Sequence, residues 1–385
     1  MSASMFYNNA FALNNKAAYG PSDIIDFEVK MRPQRSMIAN SFRVSGILEV
    51  SKQLLDGTVV PIVKADNVFV NPFCGVHSFF RNASTSINGS VIENNSYYPS
   101  WAGLQKQKGY TLEGVSTSSD CLTELCGTQS NVLLLGTVEN GVNVSGAGIP
   151  FSFKPNAAIN GSASNLPQSQ FQSVRIVFNM ASPLEALYTT HKEGDAYMLG
   201  AAGFVSLTYS MTLLQSAWYE APETPVPSPV VFQTVNLVTT TLLTSYAVFA
   251  LTSPNLYDAV SMRFIQQAHR NSLFYDNNLS EFLPGLEGGA SKLEVTLDGN
   301  SAVITYPIQS YADIARNYLK SLGGGVLNSI TNVYLSKTNT FGIGFKFAVA
   351  ANDRIAVAVQ IDVSQYNPSE KPCDCFMFLS GFAQV

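Results

Sequence analysis

Apolar and polar residues alternate in short runs along almost the whole chain. Phe27, Val29 and Met31 share one face of a period-two pattern, and Phe42, Val44 and residues 47–50 extend it. The same texture returns at 132–138, 151–153, 174–178 and 204–214. It resumes at 230–238, 245–251, 260–265, 293–297, 302–306, 342–349, 355–363 and 376–382. Successive side chains of a strand point to opposite faces, so the strict alternation of Ile355, Val357, Val359, Ile361 and Val363 predicts a half-buried strand. Asn352-Asp353, just before it, reads as a hairpin turn. Clusters of Gly, Pro, Asn and Ser separate the runs. The pattern predicts an all-β chain, a sandwich or barrel and not a βαβ sheet.

Two stretches repeat one order of elements 210 residues apart, at 88 and 298. The first is Ser86-Ile87-Asn88-Gly89, an apolar strand through Val91 and Ile92, Ser96-Tyr97-Tyr98, and a short helical stretch at 101–106. The second is Thr296-Leu297-Asp298-Gly299, an apolar strand at 302–306, Ser310-Tyr311, and a helical stretch at 312–320. Asn-Gly and Asp-Gly favour the tight hairpin in which both central residues need φ > 0. The shared order of hairpin, spacer and helix predicts two similar β-domains in tandem.

Pro222, Pro225, Pro227 and Pro229 fall within nine residues between the two halves. Proline cannot donate to a ladder and favours extended polyproline II, so this stretch reads as a stiff linker. The expected organisation is an N-terminal arm at 1–22, a first β-domain at 23–220, the linker at 221–229 and a second β-domain at 230–385. Phe6, Tyr7, Phe11 and Tyr19 would let the arm anchor on a neighbour. Long loops are expected at 111–130 and 140–169, where length by itself points to contacts or function.

At 385 residues the chain can bury two cores. Charged residues make up 13% against 46% hydrophobic, about half the charged share of an ordinary soluble domain. So little charge implies surface that leaves water in an obligate assembly. The 22 Lys and Arg are scattered and the formal charge is −5, without the basic arm of a nucleic-acid binder. Residues 1–13 lack a charged region followed by an apolar one, so no secretory leader is expected. Five cysteines at low density fit a reducing compartment and no disulfide framework.

Candidate chemistry is sparse. His77, His191 and His269 show no metal-ligand spacing. Cys373-Asp374-Cys375 puts two thiols on one face of a strand, where two small buried hydrophobes are expected. Cys121 and Cys126 share the long loop and are read as a contact or a disulfide. Residues 285–292 superficially suggest a phosphate loop, but the Gly-Lys-Ser/Thr order is wrong. Glu220 and Glu223 sit at the linker without the geometry of an acid–base pair. No catalytic, cofactor-binding or metal-binding residue is therefore assigned. Tyr97, Tyr98 and Trp101 form the one compact aromatic cluster that would suit a sugar platform.

The segment Val68-Phe69-Val70-Asn71-Pro72-Phe73-Cys74-Gly75-Val76-His77-Ser78-Phe79-Phe80, leading into Thr85-Ser86-Ile87-Asn88-Gly89, resembles a recurring passage of double jelly-roll major capsid proteins. There a strand, an Asn, a short turn and an x-Asn-Gly hairpin follow one another. Residues 174–188 and 194–214 look like the end of that family's first jelly roll, and 342–347 with the final strands like the end of its second. The resemblance to this adenovirus–tectivirus lineage implies two eight-stranded antiparallel jelly rolls with short helices and long loops. It further implies a homotrimeric, pseudo-hexagonal capsomer tiling the icosahedral shell of a tailless DNA virus. The implied partners are the chain itself, neighbouring capsomers, penton and minor capsid proteins and, in many members, an internal membrane. The implied location is the virion, with no enzymatic activity, cofactor or metal. The alternatives are a penton or minor capsid protein, or a carbohydrate-binding or glycan-cleaving β-sandwich protein.

Overall fold

The computed structural model describes residues 5–63, 66–71, 73–107, 123–126, 134–135, 138–139, 142–143, 148–189, 192–193, 196–197, 203–226, 229–242, 246–252, 256–278, 291–297, 303–308, 320, 343–346, 356–362 and 372–385. Helix is scarce, as the alternation predicts. The longest helix described is Tyr98–Gln107.

Two β-layers enclose the first core. In one layer Arg43–Leu54 pairs along Phe204–Pro222 from Leu54↔Phe204 to Arg43↔Ala217, and Ile149–Phe153 flanks it on the far side. Arg35–Met37 pairs Glu220–Pro222, and Leu166–Pro167 pairs Arg35–Met37. In the other layer Ile24–Val29, Val174–Met180, Phe80–Ile87 and Ser90–Asn95 follow one another, all antiparallel. Ile25, Phe27 and Val29 point inward while Ile24, Asp26 and Glu28 do not. Phe80 meets Phe153 of the opposite layer at 4.8 Å and its neighbour Phe178 at 5.0 Å. Aromatic side chains of this size dominate the burial that stabilises a sandwich.

The hairpin behind the first repeat forms as its residues require. Asn88 has φ 50° and Gly89 φ 83°, both left-handed. Asn88 also ties the turn down: its side chain donates to the Gln170 carbonyl at 2.9 Å and accepts from the Gln172 amide at 3.0 Å. The helix expected at 101–106 is the Tyr98–Gln107 helix. In the second repeat Ser291–Leu297 and Val303–Ile308 pair as an antiparallel hairpin. Its Asp298-Gly299 turn and most of the helix expected at 312–320 lie outside the described residues. The stretch 140–169 is not an uninterrupted loop. It contributes the Ile149–Phe153 strand, a 3-10 turn at Ala158–Asn160 and the Leu166–Pro167 strand. Most of 111–130 lies outside the described residues.

The second half continues the sheet of the first. Beyond Ser90–Asn95 the same sheet runs on through Val231–Leu242, Cys373–Gln384, Leu256–Gln266 and Ile343–Lys346, eight strands in all. The joint is a single parallel pairing, Asn94↔Asn236; every other pairing in the sheet is antiparallel. A separate four-stranded sheet orders Tyr246–Thr252, Ala356–Asp362, Ser291–Leu297 and Val303–Ile308. Within the alternating stretch, Ala356–Asp362 is a central strand with neighbours on both sides.

Residues 5–22, expected as an arm, lie along the first sandwich. Phe6–Phe11 pairs Gln215–Glu220 residue for residue as an edge strand, and Ala18–Tyr19 pairs Met211–Thr212. Tyr19 is buried, and its hydroxyl donates to Asn14 Oδ1 at 2.9 Å. The strand before the prolines reaches Pro222, paired with Arg35. The Glu223 amide then donates to the Gln34 carbonyl at 3.0 Å, and Val226 packs on the first core. Val230 and the terminal Val385 exchange two backbone hydrogen bonds at 2.9 and 3.0 Å.

The seam between the two sandwiches

Three kinds of contact close the seam. The first is backbone against backbone. Gln233 donates to the Gly161 carbonyl at 2.9 Å, and Ser162 bridges Phe232. A Cβ on Gly161 would stand 2.5 Å from the Gln233 carbonyl oxygen, so the approach needs glycine.

The second is apolar. The Tyr98–Gln107 helix brings Trp101 and Leu104 against Val235, Ile265, Phe376 and Phe378 of the second half. Trp101 stacks on Phe378 at 5.8 Å, and Tyr97 meets Phe376 at 4.4 Å. Trp101 is therefore buried in the joint and Tyr98 in the first core, and neither offers a sugar platform. The second-half faces of these strands are apolar because the first half covers them.

The third is polar and buried. Glu93 accepts from the Ala158 amide at 2.6 Å with one carboxyl oxygen and from the Val235 amide at 2.9 Å with the other. Burial pushes its pKa up to about 7, against the pull of those two amides. Asp276 accepts from the Asn71 side-chain amide at 2.8 Å and from the Asn278 backbone at 3.0 Å. Burial raises its pKa to about 6, opposed by Asn278, Asn71 and Arg263. Asn71 in turn caps the amides of Phe73 and Cys74, both at 2.9 Å. Arg263 is buried, and its guanidinium donates to Ser100 Oγ at 2.5 Å and to the Asn277 carbonyl at 2.6 Å while lying over Phe376. Arg270 joins Asp374 and Tyr97 on the same flank.

Behind the helix lies a second buried network. Tyr98 accepts from the Asn156 amide at 3.2 Å, and its hydroxyl stands 2.6 Å from His77 Nδ1. With that backbone donor in place, the Tyr98 hydrogen is left for Nδ1, and Nε2 faces Glu124 at 3.4 Å. Burial holds His77 below its usual range, and Glu124 pulls it back only in part. Burial would raise the Glu124 carboxyl, but His77 and Lys106 outweigh it and bring the pKa to about 2. Lys106 forms an ion pair with Glu124. The arrangement has the order of a catalytic relay, yet its hydroxyl is fully buried, so it fastens residues 123–126 to the first sandwich. Replacing Tyr98 with Phe strands His77 Nδ1 and the Asn156 amide. The expected loss is about 1–3 kcal/mol, read from urea denaturation of the full chain; an unchanged midpoint would remove the hydroxyl from the account.

The remaining candidates stay apart. His269 stacks on Tyr275 at 3.7 Å, and His191 lies outside the described residues. Cys126 is a buried free thiol, as are Cys74 and Cys375, so Cys126 is not half of a disulfide. Cys121, the Cys373 side chain and residues 285–290 lie outside the described residues. Glu220 is buried and accepts from Trp218 Nε1 at 3.0 Å, whereas Glu223 receives the Ser169 hydroxyl, so the two serve different partners. Among the described residues no group of three His, Cys, Asp or Glu side chains is placed to hold a metal. No helix there is long and apolar enough to cross a membrane. Sequence reading missed Glu93, Asn71, Arg263 and Asp276 as a set.

No protein-family model matches the sequence, and no curated protein matches it. Solved structures do match over the full length, and the fold they share with this chain is the double jelly roll of viral capsid proteins. The Faustovirus major capsid protein aligns with 100% of this chain and 90% of its own at 10% identity and a TM-score of 0.57. PBCV-1 VP54, fitted into a reconstruction of the virophage Sputnik, aligns with 100% of this chain and 95% of its own at 9% identity and 0.57. The mavirus major capsid protein aligns with 98% of this chain and 90% of its own at 11% identity and 0.53.

Proposed function

We propose that this chain is the major capsid protein of a tailless icosahedral virus. Two jelly rolls, 23–220 and 230–385, joined through 221–229, act as one building block. Three copies form a pseudo-hexagonal capsomer, and capsomers tile the shell. Penton and minor capsid proteins, and an internal membrane where one exists, complete the set of partners. The chain works by association, with no chemical step. The observation that carries this reading is the match of both sandwiches, in order and over nearly the whole of each partner chain, to capsid proteins.

The surface chemistry supports it. Tyr7, Phe11, Leu13, Leu213 and Tyr219 are exposed around the Phe6–Phe11 edge strand. Leu213 has φ 52° and lies within the irregularity between Thr212 and Gln215, a bulge that turns it outward. Large apolar side chains gathered on one edge favour burial against a neighbour. An obligate interface of about 2,000 Å² at roughly 25 cal/mol per Å² supplies tens of kcal/mol before ordering costs.

Light scattering at low and high salt tests the proposal. The expected species has three times the 41.6 kDa chain mass and survives dilution, and electron microscopy then shows shells. A monomer at all concentrations and salts would overturn it.

A further inference from the structure

We propose that the Phe6–Phe11 strand is a two-fold docking edge: it pairs antiparallel with the same strand of a second copy of this chain, Asn9 opposite Asn9. The backbone shows which groups are left for such a partner. Glu220 pairs both Phe6 and Met37, so Phe6–Phe11 and Arg35–Met37 flank Phe204–Pro222 on opposite sides. The Tyr219 carbonyl accepts from the Ile38 amide at 2.9 Å, and the Tyr219 amide donates to Ser41 Oγ at 3.3 Å. Both groups thus point away from Tyr7, the residue opposite Tyr219. Hydrogen-bonded and non-hydrogen-bonded pairs alternate along an antiparallel ladder. Phe6, Asn8 and Ala10 therefore bond inward, and the N–H and C=O groups of Tyr7, Asn9 and Phe11 face the outer edge. No strand pairs there among the described residues.

The side chains agree with the backbone. Tyr7, Asn9 and Phe11 are exposed, with Met5 and Leu13 next in the same row, whereas Phe6, Asn8 and Ala10 are half-buried. Residues 5–13 carry no charge. Other edges of the first sandwich are blunted. Ile24–Val29 carries Asp26 and Glu28, Ile149–Phe153 carries Pro150, and Val59–Pro61 and Leu166–Pro167 end in proline. Charges and prolines keep an edge from pairing. Phe6–Phe11 has neither.

Symmetry selects the occupant. A two-fold axis normal to the sheet keeps every side chain on its own face, so the register must centre on a residue. Centred on Asn9, it sets Tyr7 against Phe11 twice, Asn9 against Asn9, and Met5 against Leu13. Aromatic pairs across antiparallel strands are favourable, and no like charges are opposed. The two Asn9 amides can donate to and accept from each other. The outward groups add about six backbone hydrogen bonds. One strand per copy buries less than the roughly 1,200 Å² of a standard stable interface, so a single pairing is weak. It gains strength when each particle presents several such edges. A two-fold contact cannot close a ring of three. Under the capsid reading it joins one capsomer to the next, but the pairing itself does not rest on that reading.

Cysteine cross-linking of the full chain with oxidised glutathione tests this, with the wild-type chain as background. Asn9→Cys places two thiols at opposed positions, with Cα atoms about 5.5 Å apart and within disulfide reach. Tyr7→Cys or Phe11→Cys alone leaves the two thiols four residues out of register, about 14 Å apart and out of reach. The expected result is linked pairs of Asn9→Cys, and of Tyr7→Cys mixed with Phe11→Cys, while each of those two alone stays at background. Asn9→Lys opposes like charges and should move self-association, read by sedimentation, about fivefold higher in concentration. Background linking at position 9, or equal linking at positions 7, 9 and 11, would overturn the pairing. A mass of three chains without the position-9 link removes this edge and leaves the capsid reading standing. A position-9 link between otherwise monomeric chains does the opposite.

Discussion

Gly75→Ala should cost more than about 4 kcal/mol and leave little soluble protein. Gly75 has φ 50°, a conformation in which a Cβ is strained on its own account. Here the added carbon would also overlap the Glu124 carbonyl oxygen and press on Cys126 Sγ. Neither neighbour can retreat cheaply. The Val76 amide donates to that same carbonyl at 2.8 Å, and Glu124 is held by Lys106, His77 and the Lys154 amide. One methyl group therefore acts on the whole network beneath the helix. Comparison of urea midpoints and soluble yield with Gly57→Ala separates the two sources of cost. Gly57 also has a positive φ, but its Cβ would meet nothing. Equal losses at the two positions would mean that backbone strain, and not the clash, dominates.

Arg263→Ala is expected to destabilise the chain by about 3–5 kcal/mol, the usual cost of removing one partner from a buried charged network. The substitution leaves Ser100 Oγ and the Asn277 carbonyl without their donor and removes the cation from the face of Phe376. It also takes away the positive charge that favours the Asp276 carboxylate. Arg263→Lys keeps the charge but not the two-pronged geometry, so it should recover only part of the loss. The chain has two tryptophans, and Trp101 lies in the seam. In a Trp218→Phe background its fluorescence reports the joint directly. A midpoint unchanged by Arg263→Ala would show that the seam does not depend on this guanidinium.

Fold and seam were legible to different degrees, for a physical reason. Alternation in Ile25, Phe27 and Val29 exposes a buried face because the signal is local and repeats every second residue. The Asn88-Gly89 turn is legible because two residues fix their own dihedrals. In the first copy of the repeated order that turn is followed, as expected, by the Tyr98–Gln107 helix. Glu93, Arg263 and Asp276 give no such signal. A lone charge within or after a strand reads as solvent-facing, and only pairing across the chain, as between Asn71 and Asp276, reveals otherwise. The edge strand at Phe6–Phe11 was missed for a related reason. Asn8 and Asn9 interrupt its apolar pattern, and its partner is Gln215–Glu220, some 200 residues away.

The shared eight-stranded sheet also sets an order of events at the ribosome. The Ser90–Asn95 strand emerges early, pairs with Phe80–Ile87 on one side and leaves its other side open. Its cover, Val231–Leu242, is translated about 140 residues later, and that strand's own antiparallel partner, Cys373–Gln384, comes last of all. At about 5–20 residues per second the first sandwich waits many seconds with an unpaired edge. Because Cys373–Gln384 lies between Val231–Leu242 and Leu256–Gln266, that portion of the sheet cannot close before this strand has been translated. A nascent chain stalled anywhere between these strands presents the open edge to its polysomal neighbours, which would template the wrong pairing.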